Sequence, residues 1–185
     1  MLAALVLAAV VAHPAVYRID PAAAEAGFTL EATMHTVHGV TTHVLGEVRV
    51  EPESGGALKL NGRIEIGAAT LATGNSRRDA TMHDKSLLVA SFPTIVFTAE
   101  RFDPAGPEGA GGVSEGALTG RITIRGRTKP QSMKATLSPR GDRIVASGTF
   151  DVAWAEFGIP DPSFFVVTIE AVAHAHFRAE FVPAP

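Results

Sequence analysis

A chain of 185 residues, 46% hydrophobic but only 6% aromatic, is long enough to bury one substantial β core, and its apolar content is mainly Ala, Val, Leu and Ile. A formal net charge of −3 with Lys and Arg scattered singly excludes the continuous basic stripe that nucleic acid requires. The absence of cysteine excludes a disulfide framework and a thiolate nucleophile, and tolerates an oxidising compartment.

The chain opens on the apolar run Met1–Ala12, too short to span a bilayer as a helix and suited to the apolar region of a secretory signal, though without the usual basic head. A periplasmic or secreted location is therefore expected, with one domain over 16–182. No later segment is long and apolar enough for stable membrane insertion.

Strands are predicted at Tyr17–Asp20, Phe28–Thr36 and Val44–Val50. Next, Leu58–Ile66 alternates strictly, with Leu58, Leu60, Ile64 and Ile66 on one face and Lys59, Asn61, Arg63 and Glu65 on the other, the signature of a half-buried strand. Ser76–Val89 breaks the twofold rhythm and reads as a short helix stopped before Pro93. Ile95–Phe102, Leu118–Arg125, Met133–Leu137, Ile144–Trp154 and Val167–Phe181 complete eight or nine strands. The intervening Pro52–Gly56, Pro104–Gly112 and Pro139–Asp142 segments are turns, and Asp103–Gly116 is the expected flexible loop.

Strands with one apolar and one charged face, joined mostly by short connections, suit a closed barrel or a sandwich. Closure removes exposed edges, so the expected fold is an all-β, antiparallel, up-and-down barrel of about eight strands with the helical segment near 76–89 as a brace.

The interior of an eight-stranded barrel is wide enough either to be filled by side chains or to hold one small ligand. Glycines interrupt the apolar faces at Gly46, Gly62, Gly120 and Gly148, and the last strand offers Ile169, Ala171, Ala173 and Ala175. Such glycines bend strands or admit something close. The second reading predicts a tunnel walled by Phe28, Leu30, Met34, Phe97, Phe150 and Trp154, with Val48, Leu60, Gly62, Ile64, Leu118, Gly120, Ile122, Val152, Ile169, Ala171 and Ala173 completing the lining. A chain-shaped apolar ligand would suit it, at about 0.8 kcal/mol per buried methylene.

The stretch TGNSRRDATMHDKSLLVASFPTIVFTAERF, Thr73–Phe102, resembles the YceI-like family: Asn75, Arg78 and Asp79 open the helical segment, and Phe92, Pro93, Ile95 and Phe97 enter the next strand. YRIDPAAAEAGF, LTGRITIRGRTKP and FDVAWAEFGIP match in order, so the resemblance spans Tyr17 to about Phe181. It implies a lipocalin-like periplasmic barrel that binds a polyisoprenoid, such as an isoprenoid quinone or polyprenyl phosphate, with no catalytic residue and no cofactor besides the bound lipid.

Among polar candidates, Asn75 and Asp79 suit a helix start, and Arg78 could brace that junction or meet a lipid phosphate. His35, His38, His43, His174 and His176 raise the question of a metal, but all except His38 read as outward and solvated, so no metal is expected. His83 and Asp84 are helix neighbours that cannot face each other, which argues against a hydrolytic triad. The expected function is an isoprenoid carrier or store. The alternatives are a non-catalytic envelope interaction module or an enzyme on an apolar substrate, and a homodimer remains open.

Overall fold

The computed structural model describes residues 13–33, 35–161, 163 and 168–185; the predicted leader at 1–12, Met34 and Val167 lie outside them. The strands are β1 (Ala15–Ala32), β2 (His35–Thr41), β3 (Val44–Pro52), β4 (Leu58–Gly67), β5 (Thr94–Pro104), β6 (Ser114–Ile124), β7 (Arg127–Arg140), β8 (Arg143–Ala153) and β9 (Val172–Pro183). Neighbours pair antiparallel in the order β2-β1-β3-β4-β5-β6-β7-β8-β9, and β9 returns to β1.

Because β2 pairs with the second half of β1 (Ala26 opposite Thr41) and β3 with its first half (Arg18 opposite Glu47), β2 and β3 act as one strand broken at Thr42 and His43. The result is a closed, eight-stranded antiparallel barrel. As the twofold pattern dictates, Leu58, Val48, Val50, Phe97, Ile122, Met133, Ile144 and Val152 are buried in one core, while Lys59, Arg49 and Arg121 are exposed.

Sequence periodicity located most strands but not their limits. Tyr17–Asp20 and Phe28–Ala32 belong to one strand, β1, whose register shifts between Ile19 and Ala24, a bulge in which Pro21, Ala22 and Ala23 stay exposed. The predicted Phe28–Thr36 strand is divided, because the chain reverses after Ala32 and His35 and Thr36 begin β2; the rest of β2 was not predicted, because inward Val37, Gly39 and Thr41 supply a single bulky apolar side chain. β7 exceeds the predicted Met133–Leu137 because Arg127–Met133 pairs with β6 alone; pairing with β8 starts only at Lys134 opposite Thr149. Pro130, which has no N–H to donate, is tolerated on that half-paired stretch.

The helical segment forms as predicted, as α1 (Ser76–Thr81) and a wider π-type turn over Met82–Leu87, stopped by Leu88 in the left-handed region at φ 52°. It joins β4 to β5 across the barrel end that also holds the β6–β7 turn and the start of β9. The Trp154–Phe157 turn packs at the same end, where Arg125 donates to the Gly158 carbonyl.

Candidate functional site

The barrel encloses a cavity of about 660 Å³, within the roughly 300–1,000 Å³ of small-molecule sites. One end is stoppered by buried Tyr17, Leu58, Phe102, Met133 and Ile144. Burial, then the Asp142 carboxylate, raises the Tyr17 phenol above its usual value. The opposite end is the mouth, where α1 and its flanks contribute Thr73, Asn75, Arg77, Arg78, Thr81 and Ser86. Between stopper and mouth the wall is aliphatic and aromatic apart from Glu25 and His176.

Of the residues predicted to line the tunnel, Phe28, Leu30, Val48, Leu60, Ile64, Phe97, Leu118, Ile122, Phe150, Val152, Trp154, Ile169 and Ala173 do so, as do Asn75 and Arg78 at the mouth. Met34 lies outside the described residues. Ala171 does not line the cavity; it sits on an exposed bend, because β9 begins only at Val172. Ile169 reaches the wall by bridging Ala32, with its N–H donated to Ser163 Oγ.

Gly62 and Gly120 are also absent from the lining, for an instructive reason. A Cβ on Gly62 would lie 2.6 Å from the Val48 side chain, and one on Gly120 would lie 2.1 Å from the Thr98 carbonyl oxygen and 2.8 Å from the Phe97 ring. Gly39 lies under the Phe28 ring and Gly148 under Phe177 in the same way. These glycines create no vacancy; they let a neighbouring strand's inward side chain lie against the wall. The open space comes instead from alanines: Ala26, Ala99, Ala146, Ala173, Ala175 and Ala179 face the cavity.

The sequence reading missed Leu71, Met82, Ser86, Leu87 and Ile159, all of which line the cavity from segments outside the strands. Twofold alternation carries no information there. Phe177 and Phe181, also in the lining, continue the β9 alternation and were legible from it.

The mouth is built on a chain of hydrogen bonds. Asn75 caps α1 by accepting the Arg78 N–H at 3.1 Å. Asp79 Oδ1 accepts the Thr73 amide at 2.9 Å and its hydroxyl. Arg78 in turn donates from Nε to Thr73 Oγ1 at 2.7 Å and from Nη2 to the Thr73 carbonyl at 2.9 Å. The Thr73 hydroxyl, outweighing the opposing effect of desolvation, holds the Asp79 carboxyl below its usual value. Removing the cap by Asn75→Ala is expected to cost about 1 kcal/mol, read as a lower urea midpoint at unchanged slope, with faster amide exchange in α1.

The histidines are dispersed among separate partners. His38 Nδ1 meets Thr29 Oγ1 at 3.1 Å, His83 Nε2 meets the Leu71 carbonyl at 2.8 Å, and the His43 ring packs against Gly67. His83 therefore engages Leu71 rather than Asp84. His176, read as outward from the sequence, is only half exposed, and its ring lies over Gly27.

His174, on the outer face of β9, sits between two carboxylates: Nδ1 lies 2.8 Å from Asp151 Oδ1 on β8, and Nε2 lies 3.3 Å from Glu170 Oε2. Glu170 also anchors the mouth, since its carbonyl accepts the Trp154 indole N–H at 2.8 Å. The Asp151 bond, then the Glu170 bond, raises the His174 pKa. A raised native value means the clasp stabilises fully below the ordinary imidazole value of about 6.5 and is lost as pH rises through the higher native value. Denaturation measured across that window is expected to show falling stability in the wild type, and His174→Gln is expected to remove that slope.

Comparison with known proteins agrees with this architecture. A model of the YceI-like domain matches residues 17–181. UPF0312 proteins of Pseudomonas savastanoi pv. phaseolicola and Pseudomonas syringae pv. syringae are 29% identical over 133 residues, covering 68% of this chain and 65% of their own length. Among solved structures, Burkholderia cenocepacia BcnA superposes with a TM-score of 0.71 at 14% identity, covering 88% of this chain and 98% of its own. A polyisoprenoid binding domain from Saccharophagus degradans gives 0.68 at 12% identity, over 93% and 100% of the two chains. With a family model that fits nearly every strand of the barrel, the chain belongs to the YceI-like domain family.

Proposed function

We propose that the barrel binds a long-chain isoprenoid lipid, an isoprenoid quinone or a polyprenyl phosphate, as a non-catalytic carrier or store outside the cytoplasm that serves under stress. The leader Met1–Ala12 would deliver it there. The observation that supports this reading is the cavity of about 660 Å³, aliphatic and aromatic from its stoppered end almost to its mouth. A flexible apolar chain gains about 0.8 kcal/mol per methylene from such a wall, so even a few isoprene units offset the cost of association. The structural neighbour described as a polyisoprenoid binding domain points the same way.

The test is solvent extraction and mass spectrometry of protein purified from a bacterial periplasm. A prenyl lipid at about one per barrel is expected, with its mass unchanged on incubation. A bound lipid converted to a new product would indicate an enzyme, and a barrel that never holds a lipid would indicate an interaction module. Chelators are expected to leave lipid binding unchanged; loss of binding on metal removal would bring the histidines into the site.

A further inference from the structure

We infer that the cavity mouth selects a lipid whose head carries an anionic oxygen group, a phosphate or a carboxylate, held by Arg77 and Arg78. This rests on the reading of the interior as a tail site and adds a charge requirement at its open end.

Charge along the lining is unevenly placed. Among the described residues Arg77 and Arg78 are its cations, both at the mouth, whereas its carboxylate, Glu25, lies on β1 with Arg178 of β9 as its register partner. Elsewhere on the barrel Arg63 is matched by Glu65, Arg101 by Glu53 and Asp103, and Arg143 by Asp20 and Glu180, whereas Arg18, Arg49, Arg121, Arg125, Arg127, Arg140 and Arg178 form no ion pair among the described residues. Neither Arg77 nor Arg78 has such an ion pair among the described residues. The adjacent acid, Asp79, is close enough to Arg78 for their charges to attract, but its Oδ1 is taken by the Thr73 amide and hydroxyl.

Arg78 is also aimed. Its two bonds to Thr73 oxygens fix the plane of the guanidinium and occupy two of its five N–H groups, leaving three to donate. Asn75 Oδ1 is taken by the Arg78 amide, so the Asn75 side-chain NH2 is left as a further donor at the mouth. In the empty barrel water serves these donors. A lipid filling the cavity displaces that water, and a neutral head would leave the remaining guanidinium N–H groups desolvated and unpaired. A phosphate or carboxylate supplies the counter-charge and matches the guanidinium fork with paired oxygens.

Matched tails test this. Geranylgeranyl monophosphate, geranylgeraniol and inorganic phosphate are titrated into the full chain, using the fluorescence of Trp154, the sole tryptophan and part of the cavity wall. The monophosphate is expected to bind at least tenfold tighter than the alcohol, with no saturable response to inorganic phosphate. Arg77→Gln, at an exposed position, and Arg78→Gln are each expected to shrink that ratio severalfold. Arg78→Lys, which keeps the charge but not the fork, is expected to fall between Arg78→Gln and wild type. Equal affinity for the two lipids, or a ratio unmoved in all three folded variants, would overturn the inference while leaving the tail site standing. Inorganic phosphate binding as tightly as the lipid would overturn it in favour of a free-phosphate site. Failure of both lipids to bind would overturn the tail reading and this inference together.

Discussion

Replacing Ala173 with Phe is expected to cut uptake of a prenyl lipid by a hundredfold or more while the barrel still folds. Ala173 faces the cavity beside its register partner Val152, and its side chain borders open space. A phenyl ring there claims roughly the room of one isoprene unit, whose five carbons at about 0.8 kcal/mol each amount to about 4 kcal/mol of lost burial. A tail that shifts along the cavity recovers part of this, so a hundredfold is the lower expectation. Circular dichroism and the thermal midpoint report folding separately from lipid titration. Full uptake by a folded Ala173→Phe protein would mean the tail lies elsewhere.

Gly120 calls for the opposite result. Even Gly120→Ala is expected to destabilise the barrel by about 1–3 kcal/mol, the usual cost of overpacking, lowering the thermal midpoint by several degrees for a domain of this size. The new Cβ would meet the Thr98 carbonyl oxygen at 2.1 Å and the Phe97 ring at 2.8 Å. A ring can turn aside, but a ladder carbonyl moves only with its strand. Shortening the ring by Phe97→Leu should therefore rescue little. A Gly120→Ala protein as stable as wild type would show that the wall yields easily there.

These two positions mark the boundary between what periodicity can and cannot supply. Leu58–Ile66 and Leu118–Ile124 were legible as half-buried strands because large apolar residues alternate with charged ones, and Thr73–Phe102 was legible because it couples a capped helix start to a strand entry. That the interior faces apolar space followed from the same alternation. Whether an inward glycine leaves a hole did not follow, since the answer depends on a neighbouring strand: Gly120 is covered by Phe97, Gly148 by Phe177 and Gly39 by Phe28, pairings set by register rather than by local sequence. Most of β2 was hidden for a related reason, with Gly39 and Thr41 occupying two of its three inward positions. Ala171 shows the limit of extending a pattern, because the alternation continues in sequence beyond the point where the chain leaves the sheet.

The mouth was only partly legible. Asn75 and Arg78 stood out through the family pattern and the chemistry of helix starts, whereas the roles of Thr73 and Asp79 in aiming Arg78 emerge only from their hydrogen bonds. His174 likewise gains meaning from Asp151 on the next strand and Glu170 in the preceding segment.

A titration series of prenyl alcohols differing by one isoprene unit addresses the apolar interior most directly, since head chemistry stays constant and only the buried length changes. Affinity is expected to climb at least tenfold with each added unit until the cavity is full, then level off, and Ala173→Phe should bring the plateau to a shorter chain. Affinity that ignores tail length in the wild-type barrel would contradict a tail-binding interior.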